Sequence, residues 1–371
     1  MKNICFVFGT RPEVIKLAPV ILELKKYPNK YKVILCNTEQ QKELSNQTLS
    51  FFGLVADFCL NVMRPNQTLA EVQSRILLKL ADVYKNNEID ATIVQGDTMS
   101  VFCGALTSFY NKVPVFHVEA GLRSYDKFEP FPEESIRQMV SRIADLHFVP
   151  TNKAFYALKK ENIAQDKIYL TGNTVIDALS CLSEHSLIKA EQSLNKRDID
   201  LADKIVLVTA HRRENHGERL SKIIVAIKEL SKKFSDYKFV IPVHPNPNVK
   251  NIFYKEFDRT KNVILTDPLD YPELVLIMQK SKLILTDSGG IQEEAPTFGI
   301  PLLVMRYETE RMEGVEAGFA KLVGADTFKI INCAEKILNQ KEEMHLNIPN
   351  PYGDGKASER IESVIGKYFY E

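Results

Sequence analysis

The amino-acid sequence predicts an α/β fold with two doubly wound, Rossmann-like domains. Short apolar runs, typical of strands buried in a parallel sheet, alternate with longer stretches of helical period from one end of the chain to the other. The length of 371 residues exceeds the size at which one hydrophobic core stops growing, so two domains are expected. Between His185 and Asp203 the chain becomes polar and charged before a second series of apolar runs begins. We therefore place the domain boundary in this region.

The apolar runs locate the strands, and the amphipathic stretches between them locate helices such as 69–84 and 135–144. In the first domain, residues 1–185, the predicted strands are 4–8, 32–36, 92–95, 115–118, 146–149 and 168–170. In the second domain, residues 186–352, they are 205–209, 239–242, 263–266, 283–286 and 302–305. The remaining residues, 353–371, contain the periodic run ASERIESVIGKYFY, which predicts one helix that packs back on the first domain.

Composition and charge exclude several classes of function. Lys and Arg total 48, and Asp and Glu also total 48, so the zero net charge argues against sequence-independent binding of nucleic acid. The N-terminal run MKNICFVFGT lacks the apolar length and cleavage pattern of a signal peptide, and no window approaches the roughly 18 apolar residues of a membrane span. We expect a cytoplasmic protein with neither nucleic acid nor a membrane as partner. No cluster has metal-ligand spacing, so no catalytic metal is expected.

Acidic residues follow two predicted strands of the first domain. Asp97 lies in Gln-Gly-Asp-Thr after one strand, and Glu119 lies in His-Val-Glu-Ala-Gly after the next. Glu133, in Pro-Phe-Pro-Glu-Glu, opens a helix that contains Arg137. Because the carboxyl ends of parallel strands meet at one rim of the sheet, these carboxylates are candidates for paired acid–base catalysis. Taken singly, Asp97 could cap the following helix, and Glu133 and Glu134 could be a charge pair at a helix N-terminus.

The first predicted strand ends in Gly9-Thr10-Arg11-Pro12-Glu13, and Lys16 follows as a helix begins. Two cations near a helix N-terminus favour an anion, and a phosphate is the expected guest. An ordinary strand-to-helix turn with solvated charges remains the alternative. No G-x-G-x-x-G follows the strand, so a conventional NAD site is not predicted.

The second domain carries two further motifs at strand ends. Ala-His211-Arg212-Arg-Glu-Asn follows the strand IVLVT, and a histidine beside arginines can neutralise a diphosphate and place a proton donor. Ser288-Gly289-Gly290 follows the strand LILT and an aspartate, and exposed backbone N–H groups there favour an anion. Glu294, one turn further on, is a candidate ligand for ribose hydroxyls. No Walker A sequence is present, so an ATPase P-loop is not predicted.

The segments discussed above form a longer series of motifs, which is GTRPEVIKLAP, GDT, HVEAGLRS, PFPEE, HRREN, DSGGIQEEAP and NPYGDG. These motifs occur in the order found in non-hydrolysing UDP-N-acetylglucosamine 2-epimerases, and the chain resembles that family over nearly its whole length. The resemblance implies a fold like that of GT-B glycosyltransferases, with the active site in the interdomain cleft. It also implies a homodimer in cell-surface polysaccharide synthesis that interconverts UDP-GlcNAc and UDP-ManNAc without an added cofactor.

The resemblance assigns a role to each motif. It implies elimination of UDP to 2-acetamidoglucal and its re-addition, with catalysis by Asp97, Glu119, Glu133 and His211. The implied ligands of the UDP-sugar are Arg11, Lys16, Asp97, Glu119, His211, Arg212, Ser288, Gly289, Gly290, Glu294 and Arg311. Residues 267–274 would border the uracil. The residues that match the regulatory UDP-GlcNAc site of some bacterial members are Gln40, Arg75, Arg212 and His244.

This chain also departs from the family pattern. Gln41 stands where the family commonly has histidine, near the regulatory site, and residues 305–312 and Phe319 differ near the sugar-nucleotide site. Three other functions stay open at this point. They are a GT-B glycosyltransferase, which needs fewer acids, a hydrolysing epimerase that releases ManNAc and UDP, and a catalytically inactive nucleotide-sugar sensor.

Overall fold

The computed structural model describes residues 1–244, 246–340 and 348–371. The chain divides into two compact units, Met1–Cys181 with Tyr352–Glu371, and Leu182–Pro351. Each unit contains a parallel sheet together with helices that follow its strands. The predicted α/β class with two doubly wound, Rossmann-like domains is therefore confirmed.

The sheet of the first unit has seven strands within the described residues, in the order β3-β2-β1-β4-β5-β6-β7. Its strands are β1 (Lys2–Phe8), β2 (Tyr31–Asn37), β3 (Phe58–Cys59), β4 (Ala91–Gln95), β5 (Val115–Val118), β6 (Leu146–Val149) and β7 (Ile168–Leu170). All neighbouring pairs run parallel. Helices cover both faces of such a sheet, which explains why its strands are continuous apolar runs rather than alternating ones.

Helices follow the strands in the alternation that the sequence predicts. In the first unit they are α1 (Arg11–Lys25), α2 (Lys42–Phe51), α3 (Leu69–Asn86), α4 (Met99–Tyr110), α5 (Glu133–Ile143), α6 (Asn152–Lys160) and α7 (Thr174–Ser180). Thr68 illustrates how a start is set, because its hydroxyl accepts the Glu71 N–H and the Glu71 carboxylate accepts the Thr68 N–H. This capping box begins α3.

The sheet of the second unit has six strands within the described residues, in the order β10-β9-β8-β11-β12-β13. Its elements are α8 (Glu184–Asn195), β8 (Lys204–Thr209), α9 (Glu218–Lys233), β9 (Tyr237–Pro242), α10 (Pro247–Phe257), β10 (Val263–Thr266), α11 (Tyr271–Lys280), β11 (Ser281–Thr286), α12 (Gly289–Glu294), β12 (Leu302–Val304), α13 (Met312–Glu316), β13 (Ala320–Leu322) and α14 (Thr327–Leu338). The polar stretch that marked the domain boundary in the sequence is mostly α8, so residues 185 and 186 lie inside a helix.

The last helix, α15 (Ala357–Tyr370), belongs to the first unit. Asp177 of α7 accepts the N–H groups of Ala357 and Ser358 at 3.2 and 2.7 Å, and so satisfies donors at the start of α15. At the far end, the Tyr370 hydroxyl donates to the carbonyl of Lys30 at 2.7 Å. These contacts fasten α15 to α7 and to the turn before β2.

Two strands were not predicted from the sequence. β3 has two residues and β13 has three, which is too short to present an apolar run that differs from its surroundings. Both lie at the edge of their sheets and are defined by pairing with a neighbour. Across the described ranges, every helix is too short or too polar to span a bilayer.

Candidate active site

In each sheet, the strand order reverses between two neighbouring strands, and the candidate motifs follow these strands. In the first unit this topological switch point lies between β1 and β4, and in the second between β8 and β11. Doubly wound sheets bind ligands beyond the carboxyl ends of these strands. The Arg11 motif follows β1 and the Asp97 motif follows β4, while His211 follows β8 and Ser288 comes soon after β11. The topology therefore places the candidate residues of each unit where folds of this kind bind ligands.

Glu119 is held between two partners immediately after β5. Its Oε1 lies 2.6 Å from Lys16 Nζ, and its Oε2 accepts a hydrogen bond from the Gln95 side-chain amide. The backbone of Glu119 has φ +61°, which is the left-handed region that a residue with a Cβ adopts only when its surroundings impose it. Glu119 and Lys16 are both buried. The carboxylate is therefore fixed in position and charge-compensated.

Asp97 is bound to α5 through an arginine. Arg137 Nε and Nη2 each lie 2.7 Å from Asp97 Oδ2, and Arg137 Nη1 lies 3.3 Å from the buried Glu134. The helix after β4 is capped by Thr98, whose hydroxyl accepts the Val101 N–H. Asp97 therefore does not serve as that cap, which was the alternative reading of its sequence motif.

Glu133 and Glu134 form the first turn of α5, as the sequence indicates, but their surroundings differ. Glu134 is fully buried and accepts the backbone N–H groups of Ser124 and Tyr125 at 2.9 and 3.2 Å. Glu133 is half-buried and precedes it at the start of the helix. Glu134 thus fixes the loop after β5 through these hydrogen bonds, whereas Glu133 remains the candidate catalytic acid or base.

Glu13 is a further buried carboxylate, which connects the loops after β1 and β4. Glu13 Oε2 accepts the N–H groups of Gly9 and Thr10 at 3.1 and 2.8 Å, and Oε1 accepts the Thr98 hydroxyl at 2.9 Å. Burial raises the pKa of Glu13 to about 7, although these hydrogen bonds oppose the shift. Glu13 therefore ties the Arg11 loop to the residue that follows Asp97.

Lys16 and Arg11 are placed differently from each other. Arg11 begins α1, and its backbone N–H donates to Gln41 Oε1 at 3.1 Å. Lys16 lies one turn further along and directs its ammonium group to Glu119. Helix α1 thus carries Arg11 at its N-terminus and supplies the Glu119 carboxylate with a cation from its second turn.

In the second unit, Asp287 organises the segment that carries His211. Asp287 Oδ2 accepts the N–H groups of His211 and Arg212, both at 2.9 Å, and the Asn215 side-chain amide at 3.0 Å. The other oxygen, Oδ1, lies 3.4 Å from His211 Nδ1. Burial lowers the pKa of His211, while the negative charge of Asp287 acts in the opposite direction.

The Ser-Gly-Gly motif after β11, which the sequence predicts to bind an anion, contains a close approach between a glycine and an arginine. Ser288 precedes the first residue of α12, and a Cβ on Gly289 would lie 2.6 Å from Arg311 Cζ. Arg311 is buried, and its Nε donates to Glu293 Oε1 at 2.7 Å. A Cβ on Gly290 would lie 3.3 Å from Glu294 Oε1. The predicted ligands of this motif are therefore neighbours in space.

The residues that match the regulatory site are divided between the two units. In the first unit, Gln40 accepts the Ser100 hydroxyl at 3.1 Å, and Arg75 donates to Gln67 Oε1 at 2.6 Å. In the second, the His244 ring stacks on the His211 ring, with centroids 5.7 Å apart. Arg212 and the segment 267–274 lie in the second unit, and their roles remain predictions, as does the regulatory site itself.

Four residues with close contacts to the candidates, or to residues next to them in the sequence, were not singled out from the sequence as site residues. They are Glu13, Gln95, Arg137 and Asp287. Glu13, Gln95 and Asp287 belong to motifs that the sequence analysis quoted, and Arg137 lies in the helix that Glu133 opens, so their proximity in sequence was the available signal. Among the residues that the structure describes, no group of three or more His, Cys, Asp and Glu side chains is arranged to hold a metal ion.

The fold and these sites define a class of protein. Two Rossmann-like units, one with charge-compensated carboxylates and the other with a histidine and a Ser-Gly-Gly turn after neighbouring strands, are typical of enzymes that act on nucleotide-linked substrates. A family model described as UDP-N-acetylglucosamine 2-epimerase matches residues 23–366. The chain belongs to this family of epimerases, and both the family and the enzyme class predicted from the sequence are confirmed.

Individual relatives extend over almost the whole chain. A UDP-N-acetylglucosamine 2-epimerase of Bacillus subtilis is 46% identical over 367 residues, which cover 98% of this chain and 95% of the relative. The crystal structure of UDP-GlcNAc 2-epimerase from Neisseria meningitidis, bound to UDP-GlcNAc, has a TM-score of 0.93 at 45% identity and covers 99% of this chain and 100% of that one. A UDP co-structure of the S. aureus relative has a TM-score of 0.91 at 41% identity, with coverages of 99% and 97%.

Proposed function

We propose that this protein interconverts UDP-GlcNAc and UDP-ManNAc by the non-hydrolysing route. The arrangement that carries the proposal is the cluster of carboxylates in the first unit, where Glu119 is paired with Lys16 and Asp97 with Arg137. The relatives described above, which were solved with UDP-GlcNAc and with UDP, support the choice of substrate.

The chemistry explains why several acid–base groups are needed. The hydrogen at C2 of the sugar has no neighbouring carbonyl to acidify it, so direct exchange of that proton faces a high barrier. Removal of the C2 proton together with cleavage of the C1–O bond gives 2-acetamidoglucal and UDP. Re-addition of UDP at C1, with return of a proton to the other face of C2, gives the epimer. At least two positioned acid–base groups are required, and Asp97, Glu119 and Glu133 are the proposed set.

The second unit is proposed to bind UDP. Gly289 and Gly290 offer backbone N–H groups and close backbone approach, which suit a diphosphate. The Ser288 N–H already donates to the Thr286 hydroxyl at 2.9 Å, so Ser288 would contribute its side chain. His211 would stabilise or protonate the departing diphosphate. Glu294 is the proposed ligand of the ribose, and residues 267–274 are proposed to border the uracil.

Incubation of the purified protein with UDP-GlcNAc in D2O tests the route. We expect deuterium at C2 and a mixture of UDP-GlcNAc and UDP-ManNAc, both followed by NMR. Free ManNAc as the sole sugar product would instead assign the chain to the hydrolysing epimerases. Consumption of UDP-GlcNAc only when a sugar or peptidoglycan-like acceptor is added would indicate a glycosyltransferase.

We also propose that the protein is a cytoplasmic homodimer. The basis is its membership of this epimerase family. Analytical ultracentrifugation of the full chain is expected to give twice the mass of 42.3 kDa, and a monomer at micromolar concentration would contradict the dimer. Fractionation of the source cells tests the compartment.

A further inference from the structure

Asp287 lies at the point where two neighbouring strands of the second unit end. β8 and β11 pair in parallel with Thr209 opposite Thr286, and these two hydroxyls are 2.7 Å apart. Asp287 follows Thr286 directly, and its backbone N–H donates to the Thr209 carbonyl at 3.2 Å. Its carboxylate therefore contacts the segment that follows β8, which contains His211, Arg212 and Asn215. The residue is fully buried.

The two carboxylate oxygens of Asp287 have different neighbours. Oδ2 accepts three hydrogen bonds, from the backbone of His211, the backbone of Arg212 and the side chain of Asn215. Oδ1 accepts no hydrogen bond from the residues that the structure describes, and it lies 3.4 Å from His211 Nδ1. A buried carboxylate oxygen without a donor is unfavourable, and a proton on His211 Nδ1 would supply that donor.

We propose that Asp287 is a positioning residue for His211, which fixes the backbone at His211 and Arg212 and holds the imidazole with its proton on Nδ1, so that Nε2 is presented to the departing diphosphate. This inference rests on the proposed function for the role of His211, but its structural part does not depend on the substrate. The inference deepens the proposed function by naming Asp287 as the group that sets the tautomer of His211.

The chemical consequence follows from the two ring nitrogens. With Nδ1–H directed to Asp287, a protonated His211 carries its second proton on Nε2, and the carboxylate stabilises the imidazolium. When the C1–O bond breaks, its electron pair goes to the diphosphate oxygen, which takes the Nε2 proton. The ring is then neutral with Nδ1–H still on Asp287. Re-addition of UDP runs this step in reverse.

An alternative role for Asp287 is that of a backbone anchor only. Asp287→Asn separates the two roles, because asparagine has one acceptor oxygen and one NH2 group in place of two equivalent oxygens. With its oxygen at the position of Oδ2, the three donors keep their acceptor. The NH2 group then faces His211 Nδ1 and favours the opposite tautomer, with the proton on Nε2.

The experiment combines ring NMR with kinetics. Long-range 1H–15N spectra of uniformly labelled protein report the tautomer and titration of each histidine, and His211→Asn identifies the His211 signal. Arg212, His216 and His244 also influence this ring electrostatically, and all three are unchanged in the variant. We expect Nδ1–H in the wild type and Nε2–H in Asp287→Asn. We also expect His211 to titrate at lower pH in the variant, because a negative charge has been removed.

Kinetics give the functional half of the test. For Asp287→Asn we expect kcat to fall roughly 100-fold or more while KM changes by less than about threefold, since the ring is still placed but its imidazolium form has lost the carboxylate that stabilises it. The acidic limb of the pH–rate profile should move with the titration of His211. Asp326→Asn is the matched control, because Asp326 also accepts a backbone N–H, from Lys329 at 2.9 Å at the start of α14, and should leave kcat unchanged.

Several outcomes decide the inference. An Asp287→Asn protein with the wild-type tautomer, titration and kcat would overturn it, and Asp287 would be an anchor alone. If that variant does not fold, the wild-type spectrum is sufficient, because Nε2–H at neutral pH also overturns the proposal. Failure of the wild type to convert UDP-GlcNAc would count against the proposed function, while the tautomer measurement would still decide the role of Asp287.

Discussion

Lys16 Nζ lies 2.6 Å from Glu119 Oε1, and the two side chains are 8% and 5% exposed. Lys16 reaches this position from the second turn of α1, whereas Glu119 stands at the end of β5 in the left-handed backbone region. A carboxylate with this burial needs a compensating charge. The ammonium group therefore supplies both the charge balance and the position of the carboxylate.

Removing one member of this pair should be more harmful to folding than removing both. Lys16→Met leaves the Glu119 carboxylate buried without its cation, and loss of a partner in a buried pair typically lowers the free energy of unfolding by about 3–5 kcal/mol. In the double variant with Glu119→Gln, we expect a substantial part of that stability to return. Urea unfolding of both single variants and the double variant measures this coupling.

Lys2 and Asp90 provide a matched control in the same unit. Their ion pair is 2.9 Å long, but the side chains are 36% and 29% exposed. Lys2→Met should lower stability by less than about 1 kcal/mol, as is usual for pairs near the surface. Strictly additive losses for Lys16→Met and Glu119→Gln would show that the buried pair is not coupled.

Neutral replacements of the four proposed catalytic residues should abolish most of the turnover. Asp97→Asn, Glu119→Gln, Glu133→Gln and His211→Asn are each expected to lower kcat by at least ~100-fold, in line with typical contributions of acid–base groups. Circular dichroism must show that each variant is folded. Asp90→Asn is the control, because Asp90 precedes β4 at its other end from Asp97. A variant with wild-type turnover would remove its residue from the catalytic set.

The carboxylate cluster shows which part of the site could be predicted from the sequence. Asp97 and Glu119 follow apolar runs that had to be neighbouring parallel strands, so their position at one rim followed from topology. Their partners did not follow, because contacts of Arg137 with Asp97 and of Gln95 with Glu119 depend on side-chain directions. Spacing along the chain does not determine these directions.

The fold was predicted to a similar extent. Long buried strands such as β1 have unbroken apolar runs, whereas β3 and β13 arise only from pairing with a neighbouring strand. Asp287 is a further example, because the sequence analysis gave a role to the Ser-Gly-Gly motif beside it and none to Asp287 itself. Only the pairing of β8 with β11 brings it to His211.

Gly289 is expected to be required for binding of UDP. In Gly289→Ala, the new Cβ would lie 2.6 Å from Arg311 Cζ and 2.7 Å from Nη1, so the guanidinium group must move. We expect KM for UDP-GlcNAc to rise roughly tenfold or more, because a displacement of this kind commonly loses a kcal/mol or two of binding. Isothermal titration calorimetry with UDP measures the effect without turnover.

Gly290→Ala is the companion variant. Its added methyl would meet Glu294 Oε1 at 3.3 Å, and a flexible carboxylate can move by the few tenths of an ångström that are required. The effect on UDP binding should therefore be smaller than that of Gly289→Ala. Equal affinities for both variants and the wild type would contradict the placement of UDP at this motif.

Glu13 predicts a dependence of stability on pH. Burial raises its pKa from the ordinary value of 4.5 to about 7 in the folded protein. The folded state therefore binds an additional proton between these values, and the contribution of Glu13 to stability is fully present below pH 4.5 and is lost as the pH rises to about 7. The change across this window is on the order of 3 kcal/mol.

Glu13→Gln should remove this component. The glutamine oxygen can accept the N–H groups of Gly9 and Thr10, and its NH2 group can donate to the Thr98 hydroxyl, as a protonated glutamate would. We therefore expect the variant to match the wild type at pH 4.5 and to gain stability relative to it up to pH 8, as measured by urea unfolding at half-unit intervals. A constant difference between the two proteins over this range would mean that Glu13 binds protons equally in the folded and unfolded states, so that folding does not raise its pKa.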